Sequence, residues 1–401
     1  MNIKEILKPT FWKVVSVIIV TTGLFSTYFR FSLGLGATTN LHDSVPWGLW
    51  IGFDFIGVGL AAAGFTIAAT VHIFNIHKYE PLVRPAILTA FLGYSVVVCL
   101  LLVDLGRPEN FWHPLVMWNI HSVMFEITWC IICYSTVLLL EFAPVVLEKF
   151  NLRAPIKYLK IISIPVVIAG VLFSTLHQSS FGSLYLIVPG KLHQLWYSSL
   201  LPEHFFISCV AAGLSMIIFE SYLIARSCTK DNGFCNTGLK MNILSGASFA
   251  VWIALIVGLL LKIYDFASND KLIYLIIPSM ETSLFYLEII IGTIFPIYLL
   301  SYKKFRNDKK WLYIVSICVI SGLILNRLNV SITGLVSSSE INYFPSFDEI
   351  SITMMLVVLA IFAFRLIAKN FSVFLSEVSE ETESKNSANQ SKQIILSEQY
   401  E

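Results

Sequence analysis

The residues of this chain able to do chemistry are ionisable side chains set inside, or at the ends of, long apolar runs. Asp54, Asp104, Arg107, Glu126, Glu220, Glu288 and Arg327 all have this setting. A charge at the centre of a membrane helix costs about 2.5–3.5 kcal/mol on insertion scales, so each such residue calls for a function or a partner. Asp54, Asp104, Arg107 and Glu126, together with His121, fall at one depth near the same end of their runs. Carboxylates, a histidine and an arginine at one depth form a pocket that can bind a polar head group and exchange protons with it. Histidine suits that work because its unperturbed pKa lies near neutrality. Glu220 sits towards the opposite end of its run and would extend a proton route across the membrane. Plainer readings exist. Asp104 and Arg107, three residues apart, also fit an interfacial ion pair with the arginine snorkelling. Asp54 and Glu126 have no basic partner in their own runs, but either fits a pair with Arg107 or Arg327. Glu220 also fits a packing hydrogen bond to a Ser or Thr elsewhere. Glu288 and Arg327 are read as structural.

The elements that position these residues follow from composition. Of 401 residues, 56% are hydrophobic and 13% charged, and mean hydropathy is +0.75; soluble domains are about a quarter charged. The apolar residues gather into runs of roughly 20, the length that crosses about 30 Å of hydrocarbon as a helix. Ten runs are expected, near Phe11–Phe29, Trp47–Phe74, Pro85–Val103, Ser122–Phe142, Tyr158–Leu176, Glu203–Ala225, Asn242–Tyr264, Thr282–Ser301, Trp311–Val330 and Ile350–Ile367. The fold class is therefore an all-α polytopic membrane protein. No run alternates with period two, which excludes a β-barrel. Lys4, Lys8 and Lys13 precede the first run as in a signal peptide, but the run is long and lacks a small-residue cleavage site, so it is read as retained. With ten spans, 21 of the 27 Lys and Arg fall on the side of the termini and six on the other. That asymmetry predicts that both termini lie in the cytoplasm. The polar tail, residues 377–401, is expected to be disordered. A net charge of +1 without a basic stripe excludes nucleic-acid binding.

The eight histidines offer little for haem, which usually needs two axial histidines on facing helices. His121 with His177 is the one pair that comes near, both at run ends, and no haem is expected. The seven cysteines include a C-x-x-C at Cys130 and Cys133 in the middle of an apolar run, and none forms an iron–sulfur ligation pattern. Small residues recur as A-A-G-apolar-Ser/Thr at Ala62–Thr66 and Ala211–Ser215. The pattern hints at two related bundles, although coincidence explains it as well.

Three segments carry a family resemblance: RFSLGLGATTNLHDSVPWGLWIGFD (Arg30–Asp54), DLGRPENFWHPLVMWNIHSVMFE (Asp104–Glu126) and STLHQSSFGSLYLIVPGKLHQLWY (Ser174–Tyr197). With PLVRPAILTAFLGY (Pro81–Tyr94) and EFAPVVLE (Glu141–Glu148), they resemble the NrfD/PsrC family of integral membrane subunits. Within it the chain is most similar to the HybB-type membrane subunit of nickel–iron hydrogenase. The resemblance spans about Phe11 to Ala368 and loosens after about Cys228. It implies a transmembrane domain over 1–376, with four-helix bundles at about 47–177 and 203–331 flanked by the first and tenth helices. It implies a quinone-reactive subunit that exchanges electrons with a periplasmic iron–sulfur subunit, itself fed by hydrogenase small and large subunits that hold the nickel–iron site. Menaquinone or ubiquinone would be the substrate, and iron–sulfur clusters would belong to the partners. On that reading Asp54, His121 and Glu126 meet the head group or its protons, Asp104 and Arg107 tune the pocket, His177 lies beside it, and Glu126 and Glu220 move protons. Two rival readings are the same fold in a polysulfide, formate or nitrite complex, and a secondary transporter. The transporter would usually place its polar residues at the midplane, not towards one face.

Overall fold

A computed structural model describes residues 11–188, 190–227, 241–336, 339, 343–371 and 373. Among them ten helices are long and apolar enough to cross a membrane: α1 Phe11–Leu33, α2 Leu49–Ile73, α3 His77–Asp104, α4 Val123–Lys149, α5 Arg153–Leu186, α6 Leu201–Arg226, α7 Met241–Ser268, α8 Met280–Ser301, α9 Lys309–Val336 and α10 Phe347–Asn370. The described residues contain no strand, only an isolated bridge between His42 and Val45. The tail expected to be disordered lies outside the described residues.

The ten helices match the ten expected runs, with one large difference in extent. The run expected over Tyr158–Leu176 is a helix over Arg153–Leu186. His177, Gln178, Ser179 and Ser180 end the hydropathic stretch but not the helix, because His177, Gln178 and Ser180 turn inward and are buried. The last ten residues add about 15 Å at 1.5 Å per residue.

The helices pack as two antiparallel groups. In the first, α2 lies on α3, α3 on α4, α4 on α5, and α5 closes back on α2; α6, α7, α8 and α9 form the second ring in the same way. The groups meet where α2 contacts α6 and α9 and where α5 contacts α6, while α1 packs on α10 and α10 on α3. Lipid gives no hydrophobic drive for helix association, so close van der Waals approach of small residues must supply it. The two A-A-G segments provide that approach by packing on one another. Ala61, Ala62 and Ala63 of α2 are fully buried. A Cβ added to Gly213 of α6 would lie 2.9 Å from the Ala62 carbonyl carbon and 3.1 Å from Ala63 Cα.

The two ends of the bundle differ. One end carries Lys78, Arg84, Lys149, Arg153 and Arg226 and is called the basic end below. The other, the loop end, carries the long segments 34–48, 105–122 and 187–200. Buried ionic and polar groups fasten these loops. Arg30 of α1 donates from Nε to the Val103 carbonyl at 2.7 Å and from Nη2 to that of Leu105 at 2.6 Å. It thereby satisfies carbonyls that the end of α3 leaves free. Glu349, in the first turn of α10, is fully buried. It accepts from the backbone N–H of Asn40 at 3.1 Å and of Ser346 at 2.8 Å, and from the Tyr343 hydroxyl. Ser346 and Glu349 form a capping box, and the Ser346 hydroxyl also donates to the Thr38 carbonyl at 2.7 Å. Burial, and then the neighbouring Glu349 carboxylate, push the Tyr343 phenol above its ordinary range.

The α2–α6 contact generates a prediction. Gly213→Val should destabilise the protein by about 1–3 kcal/mol or more through overpacking, read as a lower unfolding midpoint in detergent. Gly258→Ala is the control, since its Cβ would meet only Ile207 Cγ2 at 3.4 Å. Equal midpoints for the two variants would show that the contact is not tight.

Candidate functional site

Helices α2–α5 enclose polar groups that have no protein partner. Eight buried side-chain atoms among the described residues lack a hydrogen bond: Asp54 Oδ1, Tyr134 Oη, Ser135 Oγ, Ser174 Oγ, His177 Nε2, Tyr185 Oη, Arg327 Nε and Ser331 Oγ. Six of these belong to α2, α4 and α5. Leaving a buried donor or acceptor unsatisfied costs about 1–3 kcal/mol, so this interior is made to hold water or a polar ligand.

The periodicity of α5 sets the arrangement. Ser174, His177, Gln178, Phe181 and Tyr185 recur every three or four residues, which puts them on one face. All five are buried. His177 Nδ1 hydrogen-bonds the Tyr94 hydroxyl of α3 at 2.8 Å. That bond orients the ring and leaves Nε2 directed into the interior. Tyr94 meets Tyr134 of α4 edge-on, with centroids 4.6 Å apart, and His177 lies 4.4 Å from the Phe181 ring. Phe55 of α2 closes the other side, 4.5 Å from Phe181. Gln178 ties the face to its neighbours: its Nε2 donates to the Val58 carbonyl at 2.8 Å, and its Oε1 accepts from Cys209 of α6 at 2.7 Å. Asp54, 1% exposed, is within electrostatic reach of Tyr94 and of Asp104.

The residues singled out in the sequence fall into three places. Asp54 and His177 are both buried within α2–α5, the histidine bonded to Tyr94 and the carboxylate within electrostatic reach of it. Glu126 is exposed at the loop end but accepts from buried Ser180 at 2.7 Å, three residues from His177. His121 and Arg107 are exposed on the loop-end surface, and Asp104 is half-buried. The cation in electrostatic reach of Asp104 is Arg30; Arg107 points out at the surface. Glu220 lies deep towards the basic end, where both carboxylate oxygens accept from Thr89 Oγ1 of α3, at 2.8 and 2.7 Å. Tyr134 occupies the space between. Its hydroxyl lies 3.5 Å from where a Gly64 Cβ would be, about 15 Å along α2 from Asp54 at helical rise. Half-buried Glu141 follows Tyr134 by seven residues, two turns nearer the basic end.

Tyr94, Tyr134, Ser174, Gln178, Tyr185 and Glu141 were not anticipated. Tyrosine and serine barely disturb a hydropathy profile, so they drew no notice inside apolar runs. The spacing of Ser174, His177, Gln178, Phe181 and Tyr185 was the available signal.

Two cofactor types can be tested against these side chains. Among the described residues no cluster of three His, Cys, Asp or Glu is placed to hold a metal. His177 is the one fully buried histidine described, and its ring neighbours are Tyr94 and Phe181, with no second histidine facing it. His121 is exposed. A bis-histidine haem does not fit this arrangement.

Comparison with known proteins gives concordant results. Residues 37–339 match the family model described as polysulphide reductase, NrfD. The chain is 37% identical to a protein of Nitratidesulfovibrio vulgaris, covering 90% of this chain and 93% of the relative. It is 32% identical to the probable Ni/Fe-hydrogenase 2 b-type cytochrome subunit of Escherichia coli, over 84% of this chain and 85% of that one. It is 26% identical to the menaquinone reductase integral membrane subunit of Nitratidesulfovibrio vulgaris, over 88% and 89% respectively.

The His177–Tyr94 bond can be tested directly. Tyr94→Phe should leave the buried His177 Nδ1 without its partner and cost about 1–3 kcal/mol, read from the detergent unfolding midpoint. An unchanged midpoint would mean that the bond contributes nothing to the fold.

Proposed function

The chain belongs to the NrfD family of integral membrane proteins, and from that premise we propose that it is the quinone-reactive subunit of a periplasm-facing nickel–iron hydrogenase. In this reading it passes electrons between an iron–sulfur partner subunit and the quinone pool. The observation that carries the proposal is the α2–α5 interior: a buried histidine oriented by a tyrosine, a buried carboxylate within electrostatic reach of that tyrosine, and a set of polar atoms with no protein partner. Reduction of a quinone takes two electrons and two protons, one to each carbonyl oxygen. His177 Nε2 and Asp54 Oδ1, both buried without a protein partner, would hydrogen-bond such oxygens and exchange protons with them. Phe55, Phe181 and Tyr185 supply the aromatic walls. The relatives support the assignment by name, one being a menaquinone reductase subunit and another a hydrogenase subunit.

The electron donor would dock at the loop end. Phe111, Trp118 and Ile120 are 59%, 66% and 73% exposed there, an apolar patch of the kind that marks protein or membrane contacts. The iron–sulfur subunit, with the hydrogenase small and large subunits behind it, would sit on that face. The basic end would then lie in the cytoplasm, in a bacterial inner membrane. Glu126 at the rim, linked through Ser180, would exchange protons with the outer solvent. Tyr134, Ser174, Glu141 and Glu220 would supply a proton route towards the basic end. Asp104 would tune the pocket from beside Arg30, with His121 and Arg107 at the docking surface. A second reading is favoured by the family's own description: the same site serving a polysulfide-type complex. The identity of the co-purifying catalytic subunit separates the two.

In the assembled complex, Asp54→Asn and His177→Gln should each lower quinone reduction about a hundredfold, within the usual range for an acid–base group. Hydrogen-dependent reduction of a soluble dye, which needs only the partner subunits, should be unchanged. Wild-type quinone rates in both variants would sink the site. Glu126→Gln should slow proton uptake during quinone turnover, and wild-type uptake would remove Glu126 from the route. A reduced-minus-oxidised optical spectrum of the purified chain should lack a b-type haem band; its presence would overturn the reading of the histidines.

A further inference from the structure

The second group of helices holds a buried ion pair and a cavity that the proposed quinone site does not use. Glu288 of α8, whose side chain is 5% exposed, accepts four hydrogen bonds. Oε1 takes them from Asn326 at 2.8 Å and Lys262 at 3.3 Å, and Oε2 from the Trp196 indole at 2.9 Å and Asn329 at 3.0 Å. Both oxygens of an ionised carboxylate accept, with about four lone-pair sites between them, and four donors converge on Glu288. The longest of the four bonds is the one to Lys262.

Lys262 is held loosely by comparison. An ammonium has three N–H donors, and among the described residues Glu288 Oε1 is its one hydrogen-bond acceptor; its other contact is the face of the Phe285 ring, 5.1 Å away. Its side chain is 21% exposed. Lys271 nearby is the contrast: its ammonium donates to the Tyr197 carbonyl at 2.6 Å and to Asp265 at 2.9 Å, and its side chain is 6% exposed.

The space beside Lys262 is a cavity of about 90 Å³ between all four helices of this group. Its polar end is formed by His204, Lys262, Glu288 and Asn326. Gly258, Gly292 and Gly322 are among its lining residues, with Gly292 and Gly322 packed on one another where α8 meets α9, and a π-helical turn, Ile290–Ile294, begins just after Glu288. Such turns are frequent at functional sites. The volume holds several water molecules, and the polar end offers the two to four partners that a buried water needs. Of the charged and titratable groups in this region, His204 from α6, Lys262 from α7 and Glu288 from α8 line the cavity; Asp265 from α7, Lys271 from the following loop and Arg327 from α9 lie outside its lining, within electrostatic reach of His204.

We propose that helices α6–α9 contain a second proton-exchange site, in which Lys262 is the exchanging group, Glu288 its fixed counter-charge, and the cavity a water path to it past His204. The step is a proton transfer: an N–H bond of the Lys262 ammonium breaks, cavity water takes the proton, and the neutral amine regains one from water. Nothing in it depends on the α2–α5 pocket being a quinone site.

Acylation by acetic anhydride reads this exchange, because only the unprotonated amine reacts and the reagent must reach it. The full chain in lipid nanodiscs is treated briefly, and Lys262 and Lys271 are compared by mass spectrometry. Lys262 should be acylated more than about tenfold faster than Lys271, and Glu288→Gln should raise its rate by about tenfold again, since an unpaired buried charge is strongly disfavoured. Gly258→Leu, which has room for its side chain, should fill the cavity and bring Lys262 down to the rate of Lys271. Equal rates for the two lysines in the wild type would overturn the proposal. So would an unchanged Lys262 rate in a folded Glu288→Gln protein, or in Gly258→Leu.

Discussion

The close backbone contact of α2 with α6 is the constraint on which the remaining architecture depends. Two bundles can share one rigid interior in lipid only if some pair of helices approaches without side chains between them. Gly213 against Ala62 and Ala63 is that place. The contact sets the level at which everything else registers. One helical turn or two nearer the loop end, Gln178 bonds the Val58 carbonyl and Cys209, so α2, α5 and α6 are pinned together beside His177. The paired alanine and glycine segments thus have a use that neither has alone: each is the other's docking surface.

The two helix groups treat their central buried acids, Asp54 and Glu288, in opposite ways. In α2–α5, Asp54, Tyr134, Ser174, His177 and Tyr185 keep atoms without partners, an arrangement that favours a guest over the empty state. In α6–α9, Glu288 is saturated by four donors, an arrangement that favours permanence. The first is suited to a molecule that comes and goes. The second is suited to a charge that stays while a lighter particle moves past it.

Most of the fold was readable from hydropathy, because a helix that must cross lipid has little freedom in length or composition. All ten helices were expected, and the error at α5 is instructive. Hydropathy averages over a helix and cannot see which side a polar residue faces, so His177, Gln178 and Ser180 looked like an ending when they were the lining of a site. The candidate site was partly legible. Asp54 stands out because a carboxylate is rare inside an apolar run, and His177 enters at a run end, through the family resemblance. Tyr94 and Tyr134 do not stand out, since a tyrosine is unremarkable at either depth. Glu288 and Arg327 were read as structural from their place in the chain. The structure puts both in a dense polar network, where the donors on Glu288 come from three separate segments, Trp196 before α6, Lys262 in α7 and Asn326 with Asn329 in α9, a convergence that linear spacing cannot reveal.

Glu349 has a consequence for how the molecule is made. Its carboxylate anchors the Asn40 backbone across a separation of 309 residues, and its neighbour Ser346 anchors Thr38. A chain inserted into the membrane in order of synthesis exposes its first long loop from the outset, yet the residues that fasten this loop arrive with the last helix. The fastening of residues 38–40 is therefore among the last tertiary contacts to form in biogenesis, and this loop stays untied until α10 is in place.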